Sequence, residues 1–319
     1  MLALHDIPLG GRPFRHEFAS GSIAVVLGRN RSGKTELCRL IAGLATPASG
    51  SIVLDGVDVT RTPPGQRSVA LVYQAFVNYP NLSVFENIAS PLRARRLAEA
   101  AIRERVERIA VQLQLAPLLE RRPDQLSGGQ QQRLAVGRAL AKGARVLVLD
   151  EPLVNLDYKL REALELELRG MLHAESLVVI YTTSDPRDAF NLGDEVLLLD
   201  DHRLLQCGRP VEVYERPCSP AAADLMSDPG INRFRDGECT GIVRPEHLGL
   251  QAPAAAGREF AMVVLSVETN GSETYLHGTV GDDHWVAKLK GLHRVAAGAR
   301  ITLHATAQSV LRFEDSRDG

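Results

Sequence analysis

The sequence predicts an α/β fold: a parallel sheet covered by helices, carrying a helical insertion and followed by a smaller all-β domain. Three observations predict it. Short β-branched runs alternate with helical spacings, a glycine-rich turn joins the first such strand to the first helix, and beyond about Thr240 only strand-sized segments remain. A chain of 319 residues is long enough for two domains. These are expected at residues 1–235, with a helical subdomain at about 84–135, and at residues 236–319.

Each element has its own signal. Ile23–Leu27 is an apolar run that ends at Gly28-Arg-Asn-Arg-Ser-Gly-Lys-Thr35; Leu37, Leu40, Ile41 and Leu44 then recur at helical spacing until Pro47. Ser51–Leu54 and Val57–Val59 flank Asp55-Gly56, a hairpin signal, and Val69–Tyr73 is a buried strand ending at Gln74. From Val84 to Arg122 the texture is helical, with Ile102, Val106, Ile109 and Leu113 on one stripe and Glu99–Arg103 and Glu104–Arg108 as pairs on the other side. Strands are expected at Arg145–Leu149, Leu177–Tyr181 and Glu195–Leu199, with a helix at Lys159–Leu172 between the first two. Met262–Val267, Thr274–Thr279, Trp285–Leu289 and Arg300–Leu303 make a tail suited to a small barrel.

Composition excludes several classes of function. The chain is 45% hydrophobic but only 5% aromatic, so its cores must be aliphatic. A formal net charge of −2 gives no electrostatic footprint for nucleic acid, and the arginines between Arg93 and Arg108 are interleaved with glutamates. Cys38, Cys207, Cys218 and Cys239 lie far apart without a Cys-x-x-Cys pair; this argues against a cysteine-built metal site or disulfide framework and fits a reducing cytosol. Apolar runs such as Val146–Leu149 are far below the ~20 residues that cross a bilayer, so work at a membrane would pass through a partner.

Three motifs carry chemistry. Gly28-x-x-x-x-Gly33-Lys34-Thr35 is a phosphate-binding loop: Gly28, Arg29, Asn30, Arg31, Ser32 and Gly33 offer backbone N–H groups to phosphate oxygens, Lys34 adds a point charge, Thr35 offers a hydroxyl to Mg²⁺, and Glu36 follows in the helix. Val146–Leu149 delivers Asp150 to the same ion and Glu151 as a general base for an attacking water. Leu126-Ser127-Gly128-Gly129-Gln130 opens a helix and forms a second anion-binding N-terminus.

With these three motifs in this order, the chain resembles the ATP-binding subunit of an ABC transporter over essentially its whole length. The resemblance implies a P-loop NTPase fold of the ABC type with a C-terminal OB-like (TOBE) domain, and ATP with Mg²⁺ as ligands. It also implies a head-to-tail pair of ATPase subunits in which Ser127, Gly128, Gly129 and Gln130 reach the partner's ATP. Gln74 falls where the family's Q-loop glutamine serves Mg²⁺ and the membrane coupling helix. The run from Gln74 to Pro91, with Asn78-Tyr-Pro80, is similar to importers of carbohydrates and polyols, glycerol importers among them. Val243-Arg-Pro-Glu-His-Leu248 and Asn270-Gly-Ser-Glu-Thr274 resemble the family's terminal barrel. Two membrane permease subunits, a periplasmic or lipid-anchored solute-binding protein and a peripheral place on the cytoplasmic face of the inner membrane follow from the same resemblance. Nucleic acid does not.

The chain departs from the family at several positions. Ser184 stands where a switch histidine is expected after the strand Leu177–Tyr181, and removing one preorganised donor typically costs ~10²–10³ in rate. Glu36 stands where a threonine commonly touches phosphate. Two unit charges about 4 Å apart interact by about 4 kcal/mol at an effective dielectric of about 20, so Glu36 must turn away or be offset by Arg29 or Arg31. Arg31 takes a usual glycine position, Val154 replaces a serine ahead of Asn155-Leu-Asp157, the N-terminal segment is short, and no convincing aromatic stands out to stack on adenine. Together these departures predict an asymmetric pair with a non-identical ATPase, in which the chain's own site turns over slowly. The alternative is a near-silent subunit that completes a partner's site.

Overall fold

The computed structural model describes residues 1–319 apart from 74, 154–160, 162–168, 171–176, 254–255 and 315–319. Gln74, Val154, Asn155-Leu-Asp157 and most of the expected helix at 159–172 therefore lie outside the described residues. The chain divides into two compact units, Met1–Glu215 and Arg216–Gly319.

In the first unit β1 (Leu2–Leu9), β2 (Arg12–Phe18), β4 (Ser51–Leu54) and β5 (Val57–Asp58) form an antiparallel sheet in the order β2-β1-β4-β5. A second sheet holds β3 (Ile23–Leu27), β6 (Val69–Val72), β7 (Val146–Asp150), β8 (Val178–Thr183), β9 (Glu195–Asp200) and β10 (Arg203–Gly208) in the order β10-β9-β3-β8-β7-β6. Its strands are parallel except β10, which returns antiparallel to β9. Every residue of β3 and β7 is buried, as strands covered on both faces require. Leu2, Leu4, Phe14, Phe18 and Ile52 of the antiparallel sheet pack with Leu37 and Ile41 of α1 (Lys34–Ala42) against Val26, Val148, Ile180 and Leu197 of the parallel one.

Two features set α1. Gly33 sits at φ 103°, a left-handed conformation that turns the loop into the helix. At the other end Arg67 is buried and donates to the carbonyl oxygens of Leu40 (2.8 Å), Ile41 (3.0 Å), Thr60 (2.7 Å) and Thr62 (2.7 Å). It thereby satisfies carbonyls that the end of a helix leaves without partners.

The helical part comprises α2 (Val84–Ala94), α3 (Glu99–Gln112) and α4 (Gly128–Ala141). Ile102, Val106, Ile109 and Leu113 are buried as their spacing predicts. Of the two expected pairs Glu104–Arg108 forms at 2.6 Å. Glu99 instead meets Arg93 at 3.0 Å, and Arg103 lies over the Phe85 ring. The fold places α2 close enough that Arg93 bridges Glu86 and Glu99, which i,i+4 spacing within α3 does not encode. α5 (Pro186–Leu192) and α6 (Pro210–Glu215) complete the unit.

The second unit begins with α7 (Pro220–Leu225) and contains two antiparallel sheets. One is β11 (Asn232–Asp236), β12 (Cys239–Val243) and β17 (Val310–Glu314); the other is β13 (Gly257–Thr269), β14 (Glu273–Val280), β15 (Asp283–Lys290) and β16 (Arg300–Thr306), in the order β15-β14-β13-β16. Trp285, Phe260, Met262, Leu276 and Leu303 form its core, with Phe234 packed against it. β11 pairs along its whole length with β12 and so belongs with the β unit, whose residues run from Arg216.

Candidate nucleotide site

The parallel sheet brings the ends of β3, β7 and β8 together in register: Leu27 pairs with Thr183, and Asp150 with Thr182. The turn from β3 into α1 therefore stands beside Asp150, Glu151 and Ser184, the crevice at strand carboxyl ends where open α/β sheets take their ligands. Asn30, Arg31, Gly33, Lys34, Thr35, Glu36, Glu151, Ser184 and His202 line a cavity of about 630 Å³ there.

Within the cavity Lys34 is only 4% exposed. Its Nζ donates to the carbonyl oxygens of Gly28 (2.6 Å) and Arg29 (2.9 Å) and lies 3.2 Å from Oε1 of Glu151. Thr35 Oγ1 donates to Asp150 Oδ1 at 3.4 Å, and Thr182 Oγ1 donates to the same oxygen at 2.8 Å. The Glu151 N–H in turn donates to Thr182 Oγ1 at 3.1 Å, with Glu151 held at φ 45°. A non-glycine residue at positive φ is uncommon and clusters at functional sites. Cys38, wholly buried on α1 behind the carboxylate, has its thiol pushed well up by burial and then by the charge of Asp150.

The loop fits a polyphosphate. Gly28 approaches the Leu199 carbonyl so closely that a Cβ would collide with it. The Ser32 hydroxyl is buried in the loop without a hydrogen-bond partner. The Lys34 ammonium is served by carbonyls and one carboxylate that an anion can replace. The Thr35 hydroxyl and Asp150 carboxylate supply the hard oxygen donors that Mg²⁺ takes.

Ser127 lies apart from this cavity. Its Oγ accepts from the Gln130 N–H (3.4 Å) while Gln130 Oε1 accepts from the Ser127 N–H (3.0 Å), a capping box at the start of α4. Ser127 and Gly128 are exposed and Gly129 is buried. The N-terminus of α4 is thus open to solvent and does not line the cavity at the phosphate loop.

Glu36 has partners that the sequence did not indicate: His202, from the β9–β10 turn, places Nε2 3.5 Å from Glu36 Oε2, and the Gly10 N–H donates to Glu36 Oε1 at 3.4 Å. His202 also donates its backbone N–H to the Ser32 carbonyl (3.0 Å), and its ring lies against Gly10 and Gly33. No periodicity announces His202, because only the antiparallel return of β10 carries that turn to the loop. Thr182 was equally missed, although a polar pair ending the apolar strand β8 is a visible signal. Beside Ser184, Asp185 caps α5 by accepting from the Arg187 N–H (2.9 Å) and pairs with Arg161 at 3.0 Å.

A second concavity of about 460 Å³ opens between β6 and the helical part, lined by Leu71, Tyr73, Val77, Tyr79, Pro91, Arg138 and Lys142. Tyr73, Val77 and Tyr79 are exposed, the Arg138 guanidinium stacks 4.0 Å over the Tyr79 ring, and burial lowers the Lys142 ammonium.

Comparison with known proteins agrees with this geometry. The ABC transporter family model matches residues 12–154 and the TOBE domain model matches residues 242–313. The sn-glycerol-3-phosphate import ATP-binding protein UgpC of Pectobacterium atrosepticum is 34% identical over 97% of this chain and 93% of its own. The protein of the same name from Escherichia coli is 33% identical over 97% of this chain and 94% of its own. Among solved structures, cbiO1 of Clostridium perfringens, part of an ABC transporter complex, aligns with a TM-score of 0.62 at 24% identity over 67% of this chain and 90% of that one. A dimeric ATP-binding cassette bound to ADP and Pi aligns with a TM-score of 0.59 at 23% identity over 66% of this chain and 99% of that one. Among the described residues no helix is long and apolar enough to cross a membrane. With its loop, its Asp150-Glu151 strand end, its capped Ser127 segment and relatives matched nearly end to end, the chain belongs to the ABC transporter family, as an ATP-hydrolysing subunit with a C-terminal TOBE domain.

Proposed function

We propose that this chain energises an importer of glycerol 3-phosphate or a closely related polyol, working as one of two ATPase subunits docked on membrane permeases. The observation that carries the catalytic part is the Lys34–Glu151 pair at 3.2 Å beside Thr35 and Asp150. In this reading the loop amides and Lys34 hold the phosphates, and Lys34 exchanges its carbonyl partners and Glu151 for phosphate oxygens. Its departure frees Glu151 to orient and deprotonate a water. Thr35 and Asp150, with Gln74 outside the described residues, would hold Mg²⁺, which neutralises phosphate charge when bound. The capped Ser127–Gln130 segment faces the partner's nucleotide, and the groove of Tyr73, Tyr79 and Arg138 receives a permease helix.

The relatives' names support the cargo, and a family in which the ATPase works on a permease supports a peripheral place at the inner membrane with a solute-binding protein outside. Uptake of labelled sn-glycerol 3-phosphate and of glycerol, measured in vesicles carrying the chain with its permease and binding protein, tests it. Uptake of neither overturns the cargo.

Ser184 supports the finer reading of an asymmetric pair with a slow site at this chain's own loop. It lines the cavity where a cationic donor is expected, and a hydroxyl carries no charge. It equally favours the second reading, a near-silent subunit completing a partner's site. Turnover of the purified chain alone should be slow and rise about tenfold or more in Ser184→His. Brisk turnover by the wild-type chain alone would end both readings.

A further inference from the structure

His16, Glu195 and Cys207 come together at the rim of the first unit, and none of them lines the cavity at the phosphate loop. His16 Nε2 lies 3.1 Å from Glu195 Oε2, and one ring nitrogen of His16, one carboxylate oxygen of Glu195 and Cys207 Sγ all lie within 4.8 Å of one another. The three residues belong to three strands of two sheets: β2 is the edge of the antiparallel sheet, β10 the edge of the parallel sheet, and β9 its neighbour.

Strand periodicity makes the arrangement unusual. His16 shares a face of β2 with Phe14 and Phe18, both buried in the core between the sheets. Glu195 shares a face of β9 with Leu197 and Leu199 of the same core, and Cys207 pairs directly with Leu197. All three therefore occupy core-facing positions where that core meets its edge, and donor side chains at such positions need partners. The His16 side chain is 10% exposed and its ring packs edge-on against Phe18 at 4.6 Å, which restricts how it turns. Cys207 is exposed, so the cluster is open to solvent on one side.

We propose that His16, Glu195 and Cys207 form a binding site for a borderline-soft divalent cation of the Zn²⁺ class, bridging the two sheets. An imidazole nitrogen, a thiolate sulfur and a carboxylate oxygen are the donor set such an ion takes, and three protein ligands leave a fourth position for water. Ligands about 2.0–2.3 Å from a tetrahedral ion stand about 3.5 Å apart, so closing the cluster needs side-chain movements of about 1 Å. The site is independent of nucleotide chemistry and is unlike the cysteine-rich pattern that sequence spacing detects, because only one cysteine takes part.

Cobalt titration of the full-length, tag-free, reduced chain without nucleotide tests it. The expected result is about one equivalent of Co²⁺ bound with a sulfur-to-cobalt charge-transfer band, displaced by Zn²⁺. Cys207→Ser should abolish that band and weaken binding at least about tenfold. Cys218→Ser, at the other exposed cysteine, should leave band and affinity unchanged. His16→Gln should weaken binding while keeping thiolate character. Absence of the band up to about millimolar cobalt, or an undiminished band in Cys207→Ser, overturns the proposal.

Discussion

Lys34 and Glu151 illustrate how residue chemistry is prepared for a ligand. A buried ammonium needs compensation, and here two carbonyls and the Glu151 carboxylate provide it. The same contact keeps Glu151 from acting on water until phosphate draws Lys34 away. Lys34→Ala should therefore abolish nucleotide binding at this loop, measured by calorimetry, whereas Glu151→Gln should retain binding and lower turnover by about 10²–10³. Equal loss of binding in both variants would contradict this division of roles. Both residues were legible in the sequence, since each belongs to a motif whose spacing defines it. Their direct pairing was not, since it depends on β3 and β7 both lying beside β8. His202 against Glu36 shows the same limit: two charged or polar groups meet only because β9, distant in sequence, pairs in parallel with β3 and brings the turn at its end to the loop.

Among elements, α1 is tied down at both ends. Gly33 sets its start, and Arg67 gathers four carbonyl oxygens at and beyond its C-terminus. A cation is favoured there by the helix dipole as well as by the hydrogen bonds. Burial lowers the Arg67 guanidinium's affinity for its proton, yet arginine stays charged at any working pH. Arg67→Met removes donors while leaving the carbonyls buried, and should cost about 2–4 kcal/mol of stability. Urea denaturation measures it; a loss below about 0.5 kcal/mol would show that water replaces the guanidinium. In the helical part the apolar stripe of α3 was readable from spacing alone. The arginine partners were not, because long side chains choose among neighbours that only helix packing supplies.

For the whole molecule, stability should depend on acid through carboxylates held ionised in the fold. Burial works to raise the Asp185 carboxyl, but hydrogen bonds from Arg187 and the charges of Arg161 and Arg187 outweigh it and hold it below the usual carboxylate range. A group depressed in the folded state adds stability above its unfolded value, about 3.9 for aspartate, and loses it as pH falls through the folded value. The unfolding free energy should thus hold from neutral pH to about pH 5 and decline below about pH 4. Chemical denaturation at pH 7, 4 and 3 follows it, and Asp185→Asn should show a shallower decline than the parent chain. An equal decline would remove Asp185 from the account. At this scale β11 was not legible as a strand: it lies in a polar stretch without apolar alternation, and its membership of the β unit comes from pairing with β12.

By itself the sequence determined what is local: the phosphate loop, the Asp150-Glu151 strand end, the Ser127 cap and the alternation of strands and helices. These are legible because a few consecutive residues set their backbone path and donors. The tertiary structure alone decided which distant residues meet, namely Lys34 with Glu151, Glu36 with His202, and His16 with Glu195 and Cys207. Such meetings depend on strand order and register, and a one-residue slip in register turns every side chain to the other face, which local composition does not specify.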